Sequence, residues 1–270
     1  MKKCIRWIVL KVVLIAAALL PYSEVSAQDV NVLFIPIDDL KPMLSAYGDT
    51  LVKTPNIDRI AKSGTVFLNN SCQQAICGPT RASLLTGMYP DYTQVWDLRT
   101  KMRDINPDII TIPQYFKEQG YTTAGIGKTF DPRCVDGRRY MDEPSWSIPY
   151  LKVKAVQYAN PEVNEAWQKA EKLVEGKKFK VNYQRAKAIS DLGGPMCRPT
   201  TECMDVPDDT YADGANARAA VKMLDKLAKK NKPFFFSVGF SKPHLPFIAP
   251  KKYWDLYNSN DIEIAAYQDR

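Results

Sequence analysis

A single histidine, His244, stands in 270 residues, and the six cysteines are scattered rather than clustered. Zinc centres draw on closely spaced Cys and His ligands, so the makings of one are missing. There is no low-complexity tract, no heptad run and no fixed-period repeat, which excludes coiled coils and solenoids. Charge of one sign is also scarce. The formal net charge is +7, but Lys2, Lys3, Arg6 and Lys11 against Glu24 place +3 of it in the first 27 residues, leaving +4 for the rest. Such a mild excess can favour an anionic substrate through its field. No basic-aromatic pattern accompanies it, so nucleic acid is not an expected partner. What remains is ordinary for a globular protein: 45% hydrophobic and 25% charged residues, enough for one large α/β domain with its own core.

Long apolar runs are nearly absent as well. The one that stands out, Ile8 to Leu20, follows Lys2, Lys3 and Arg6 and precedes Pro21 and the small-residue site Val25-Ser26-Ala27. That is the layout of a secretory signal peptide cut after Ala27, and the run is short for a bilayer span, which needs about 20 residues. Residues 1–27 are therefore expected to be removed and 28–270 to form an exported chain, periplasmic or secreted, with no stable membrane anchor. Without Cys4, the cysteines left are Cys72, Cys77, Cys134, Cys197 and Cys203. Five is odd, so at least one is unpaired; Cys197 and Cys203 are spaced to close a small loop.

The periodicity alternates between strands and helices. Val30–Ile37 is a continuous apolar run rich in β-branched residues, expected to be a strand buried on both faces, and it stops at Asp38-Asp39. A helix follows Thr54-Pro55, with Ile57, Ile60 and Ala61 on one face, up to Gly64; Thr65–Leu68 reads as a strand. Pro79 opens a helix ending at Gly87, and Thr111–Gln119 makes another. Tyr121–Ile126 reads as a strand leading into Gly127-Lys128, Thr210–Lys229 as a long amphipathic helix, and Pro233–Phe240 as a strongly apolar strand. This order predicts βαβ units and an α/β fold with a mainly parallel sheet flanked by helices. Residues 132–208 are less regular and are expected to lie over one sheet edge.

Asp38-Asp39, Lys128 and Ser241-Lys242-Pro243-His244 each sit just past the end of an apolar strand. In an open α/β sheet those ends face one crevice, where ligands bind. Cys77 lies at the start of the Pro79 helix, where free N–H groups favour an anion, and Arg81 returns to the same face one turn on. A nucleophile, a cation and a helix start suit cleavage of a sulfate or phosphate ester. Taken singly, each residue has a plainer reading. Asp38-Asp39 reads equally as a cap or a solvated loop, Cys77 as a buried structural thiol, His244 as a turn histidine and Lys242 as solvated.

The segment Cys77-Gly78-Pro79-Thr80-Arg81, continued by Ala82-Ser83-Leu84-Leu85-Thr86-Gly87, resembles the signature of the type I, formylglycine-dependent sulfatases. Asp38-Asp39 resembles that family's first metal-binding segment and Gly127-Lys128 its active-site lysine segment. Ser241-Lys242-Pro243-His244-Leu245-Pro246-Phe247 resembles the histidine segment of its iduronate-2-sulfatase branch. The resemblance implies an alkaline-phosphatase-like sulfatase fold, of which this chain is the N-terminal portion. It implies hydrolysis of sulfate esters on sulfated sugars or glycosaminoglycan-type uronates. It further implies that a separate maturation enzyme oxidises Cys77 to formylglycine, whose hydrate attacks the ester sulfur. Asp38, Asp39 and residue 77 would hold Ca2+, Arg81 and Lys128 would support residue 77, Lys242 would touch the sulfate, and His244 would bind sulfate or protonate the leaving group.

Two features depart from the family pattern. Gly127-Lys128-Thr129-Phe130 is followed by Asp131 where the family usually has histidine, and no later Asp-His or Asp-Asn pair is present to complete the calcium shell. They keep two other readings open: a phosphomonoester or phosphonate hydrolase of the same superfamily, and a non-catalytic binder of sulfated glycans.

Overall fold

The computed structural model describes residues 30–179, 182–195 and 198–262. The expected signal peptide lies outside them, as does Cys197 of the suggested Cys197–Cys203 loop; Cys72, Cys77, Cys134 and Cys203 are free thiols. No helix among the described residues is long and apolar enough to cross a membrane.

In chain order the elements that position the site are β1 (Val32–Phe34), α1 (Pro55–Ser63), α2 (Cys77–Thr86), α3 (Ile112–Glu118) and β2 (Thr122–Gly127). Then come α4 (Pro161–Leu173), α5 (Asn182–Asp191), β3 (Thr201–Met204), α6 (Ala212–Ala228), β4 (Phe234–Gly239) and β5 (Phe247–Pro250). The central sheet has the order β1-β4-β2, all parallel, with Val32 and Thr123 flanking Phe235. A parallel pair needs a long crossover, and the helices between β1, β2 and β4 supply it.

β4 runs through the middle and is buried at all six residues, which is why its sequence is continuously apolar instead of alternating. Phe234, Phe236 and Val238 pack with Ala124, Ile126, Ala220 and Leu227 beneath α6. Phe235 faces the other way and stacks on Phe116 of α3 at 5.0 Å between ring centres. On that side Leu85 of α2 joins Val95, Met102, Phe130, Trp146 and Tyr150 in a second core. Thr111 caps α3 by accepting from the Gln114 N–H, and α2 stops at Gly87, the expected end, in the left-handed conformation (φ 69°).

Two expectations are corrected. The run Val30–Ile37 forms only the three-residue β1, and it is not covered on both faces: Leu33 is 45% and Ile35 43% exposed. Leu33 and Ile35, two residues apart, point to the same side, which the described residues leave open. Thr65–Leu68 is not a strand; Phe67 and Leu68 are 70% and 68% exposed. β-branched and aromatic composition favours strands only where a neighbouring strand is available to pair, and none of the described strands lies beside this segment.

Residues 145–151 add to the free edge of β2. Ser147 and Ile148 N–H donate to the Thr123 carbonyl, and Leu151 N–H to that of Gly125. Farther on, β3 pairs with β5 in a small separate parallel sheet.

The ladder continues past the named strands: Asp38 N–H donates to Phe240 O at 3.0 Å and Lys128 N–H to Gly239 O at 3.0 Å. Both charged residues are thereby set at one level beside the end of β4. The approach is close enough to require glycine. A Cβ on Gly239 would lie 2.2 Å from the Lys128 carbonyl carbon, and one on Gly127 (φ 75°) would lie 2.0 Å from the Gly239 oxygen. Gly239→Ala therefore forces backbone apart in a filled core, a change that costs about 1–3 kcal/mol. Urea unfolding should show that loss with an unchanged m-value.

Candidate active site

Asp38 leaves β1 with its side chain buried, at 5% exposure. A buried carboxylate is costly unless cations satisfy it. Here Arg81 Nη2 donates to Oδ1 at 3.0 Å and Lys128 Nζ pairs with Oδ2. Burial alone would raise the Asp38 carboxyl, but the Lys128 and Arg81 charges outweigh it and hold the group below the ordinary carboxylate range. The Arg81 guanidinium also donates through Nη1 to the carbonyls of Lys128 and, at 2.8 Å, of Thr129. One arginine on α2 thus ties together the ends of β1 and β2. Thr129 is fixed from beneath by Ser237 Oγ at 2.7 Å and the Tyr150 hydroxyl at 2.9 Å.

Asp39 differs from its neighbour. It is exposed and takes the left-handed conformation (φ 59°), which aspartate tolerates better than most residues.

Cys77 is the first residue of α2, with Ile76 extended before it. Its Sγ donates to Asp131 Oδ2 at 3.1 Å, and Arg133 Nη2 donates to Sγ at 3.3 Å. Burial and then the Asp131 carboxylate push the Cys77 thiol above its ordinary range, against smaller opposing effects of Lys128 and Arg133. Asp131 is itself buried at 1% exposure. Burial would raise its carboxyl, but the Arg133 and Cys77 hydrogen bonds prevail and hold it far below the ordinary range.

The third segment leaves β4. Asp213, in the first turn of α6, accepts from the backbone N–H groups of Ser241 and Lys242 at 2.7–3.0 Å and so fixes where this loop starts. Lys242 Nζ turns toward its own loop, donating to His244 O at 2.8 Å and Pro246 O at 2.5 Å. Burial lowers the Lys242 ammonium, with Asp213 opposing, Lys128 adding to the fall and Asp38 opposing, so it lies within the field of the Asp38 cluster. His244 Nδ1 lies 2.7 Å from Leu245 O, and no hydrogen bond links it to Cys77, Arg81 or Lys128 among the described residues.

The structure therefore gathers Asp38, Arg81 and Lys128 into one ion cluster, puts Cys77 beside Asp131, and leaves Asp39 and His244 without a bond to either group. Sequence reasoning missed Arg133 and Asp213. Asp213 is in the first turn of a helix, where acids are common and carry no signal; the departure at Asp131 was the one hint of something unusual next to Arg133. No group of three or more Cys, His, Asp or Glu side chains among the described residues could hold a metal. Asp38 and Asp39 offer the hard oxygen atoms calcium prefers, but a shell of about six to eight needs donors beyond them. Removing the charge of Asp38 strands the buried Arg81 guanidinium, so Asp38→Asn should cost about 3–5 kcal/mol in urea unfolding. Because the folded Asp38 and Asp131 carboxyls are depressed, their stabilisation is complete above the unfolded value near pH ~4. It is lost as pH falls through the folded values, so an acid titration of stability should be flatter below pH ~4 in Asp38→Asn than in wild type.

The sulfatase family model matches residues 30–268. Over 242 residues the chain is 38% identical to iduronate 2-sulfatase of Mus musculus, covering 89% of this chain and 40% of that protein. The Homo sapiens iduronate 2-sulfatase is 37% identical over 236 residues, covering 87% and 39%. The chain thus spans about two fifths of the length of these relatives. Among solved structures, Ps i-CgsB in complex with k-i-k-neocarrahexaose superposes with a TM-score of 0.54 at 25% identity, over 80% of this chain and 46% of that one. Phosphonate monoester hydrolase of Agrobacterium radiobacter shares the fold, with a TM-score of 0.55 at 23% identity over 87% and 45%. With parallel strands ending at one charged cluster and a family match over most of its length, the chain belongs to the sulfatase family.

Proposed function

We propose that this chain carries the nucleophile-bearing part of an exported sulfuric ester hydrolase acting on sulfated carbohydrate, with residue 77 matured to formylglycine. The observation that carries the reading is the setting of Cys77: it opens a helix, touches Asp131 and Arg133, and shares its helix with the Arg81 that binds Asp38 and Lys128. A thiol whose ionisation is held back by burial and a carboxylate is a poor nucleophile at neutral pH. Its position is nevertheless the one an anionic ester would approach, at a helix start with cations close by. Oxidation of the side chain to an aldehyde resolves the conflict, since the nucleophilic atom is then oxygen and needs no thiolate.

Within that reading the residues divide the work. Lys128 and Arg81 hold the Asp38 carboxylate and stabilise negative charge at the reacting group. Asp38 and Asp39 would offer oxygen atoms to calcium, which needs further donors beside them, and the ion would polarise the sulfate. Lys242 contacts the sulfate, and His244 binds sulfate or protonates the departing alcohol, each after a rearrangement of the loop that follows β4. The loop borders a cleft of about 570 Å³ lined by Tyr158, Trp167, Arg198, Leu245 and Pro246 among others. Aromatic rings and a guanidinium on the wall suit a sugar carrying anionic groups, and names among the relatives such as N-acetylglucosamine-6-O-sulfatase support that class. Export rests on the signal-like residues 1–27.

Two measurements test this. The tryptic peptide spanning residues 63–81 contains both Cys72 and Cys77. In protein from the native host it should carry one alkylatable thiol, at Cys72, and be lighter by the exchange of sulfur and two hydrogens for oxygen at residue 77. An unmodified thiol at both positions would remove the nucleophile and favour a glycan-binding role. The complete protein should also turn over nitrophenyl sulfate faster than nitrophenyl phosphate or phosphonate, and the reverse order would make it a phosphoryl or phosphonyl hydrolase. Cys77→Ser should lower sulfate turnover by about 10³-fold or more, the scale of losing an essential nucleophile.

A further inference from the structure

The turn that follows Lys128 is built with unusual care. Asp131 accepts four hydrogen bonds through its carboxylate: Oδ1 from Arg133 N–H at 3.0 Å and Arg133 Nε at 2.9 Å, Oδ2 from Arg133 Nη2 at 2.8 Å and from Cys77 Sγ at 3.1 Å. The Asp131 carbonyl accepts from Cys134 N–H at 3.0 Å, and the Cys134 carbonyl from Met102 N–H at 2.8 Å. Cys134 Sγ donates to Asp97 O at 3.4 Å. The same turn packs on Gly78, where a Cβ would come within 2.5 Å of Cys134 Sγ. The Arg133 guanidinium is thus clamped in a bidentate fork, which orders it in advance of any ligand.

An arginine that only neutralised Asp131 would have no reason to reach further. Arg133 Nη2 also donates to Cys77 Sγ, and the side chain remains 52% exposed. Among the described residues nothing accepts from its Nη1. One face of the guanidinium is therefore fixed by Asp131, one N–H points at the atom carried by residue 77, and the other nitrogen is free on the open side. Sγ occupies the place that an oxygen on a matured residue 77 would take.

Resting on the hydrolase reading above, we propose that Arg133 is a substrate-binding residue of this site: Nη2 donates to the oxygen on residue 77 and Nη1 to an oxygen of the sulfate ester, with Asp131 the positioning residue that holds it. Arg133 would then bridge nucleophile and electrophile, fixing the line of attack, and no proton is transferred by either group.

The test uses the complete, matured protein and four variants: Arg133→Ala, Arg133→Lys, Asp131→Asn and the double variant Arg133→Ala with Asp131→Asn. Maturation is scored first by the mass of the peptide containing residue 77, and rates are normalised to the modified fraction. Arg133→Ala should lower kcat/KM for nitrophenyl sulfate by about 10²-fold, the scale of losing one oriented donor to a developing anion. Added guanidinium ion should restore part of it. Arg133→Lys should recover less than tenfold of the loss, since lysine cannot reach both oxygens from the Asp131 fork. The double variant should be no worse than Arg133→Ala, because Asp131 acts through Arg133. Calorimetry with inorganic sulfate gives a readout apart from turnover, and Arg133→Ala should bind it about tenfold more weakly. If Arg133→Ala does not fold, Arg133→Lys decides by the same comparisons. Full kcat/KM and unchanged sulfate binding in the variants overturn the proposal while leaving the hydrolase reading intact; a wild-type protein with no turnover and an unmodified residue 77 overturns both.

Discussion

The arrangement depends on one buried carboxylate. Asp38 sits just beyond β1 with both oxygens paired, one to Arg81 and one to Lys128. Three parts of the chain far apart in sequence are held there by charge. Burying such a group costs several kcal/mol unless its partners are in place, so the cluster forms as a whole or not at all. The partners are set by backbone: Lys128 and Asp38 continue the sheet ladder beside Gly239 and Phe240, and Arg81 is carried in by a helix whose Leu85 is fully buried. Packing places the charges, and the charges then lock the strand ends together.

The second carboxylate follows the same logic a few residues on. Asp131 is as buried as Asp38, and its oxygens likewise accept from nearby donors, here the Arg133 guanidinium and the Cys77 thiol. Both acids are held ionised by neighbouring cations, so neither suits the role of a general acid near neutral pH. They fix guanidinium and ammonium groups in a protein interior, where a charge is felt more strongly than in water. In this cluster the carboxylates anchor the cations.

Much of this was legible in the residues and some was not. The run Pro233–Phe240 read correctly as a strongly apolar strand, and its central, fully covered place in the sheet explains why it lacks alternation. Gly87 and Thr111 marked helix ends because their backbone and side-chain chemistry allow little else there. The convergence of Asp38, Lys128 and Arg81 followed from charges placed at strand ends and one helix turn. Composition failed where the outcome depends on what lies opposite. Ile35 and Phe67 look like strand core, yet nothing among the described residues covers them. Arg133 was invisible for the converse reason. A charged residue in a Pro-containing turn carries no periodicity, and its importance comes only from the three-dimensional meeting of α2 with the turn after β2.

That meeting also bears on what residue 77 can be. A site that activates a cysteine places a cation nearest the sulfur and keeps carboxylates away, lowering the thiol pKa. Here the carboxylate of Asp131 is the nearer partner, 3.1 Å against 3.3 Å for Arg133, and together with burial it favours the protonated form. The geometry offers one acceptor and one donor to whatever atom residue 77 presents. A thiol uses the acceptor and gains little from the donor, because sulfur is a weak acceptor. An oxygen bearing a hydrogen uses both, donating to Asp131 and accepting from Arg133. If residue 77 is matured as proposed, a hydroxyl there would use both partners that now flank the Cys77 sulfur.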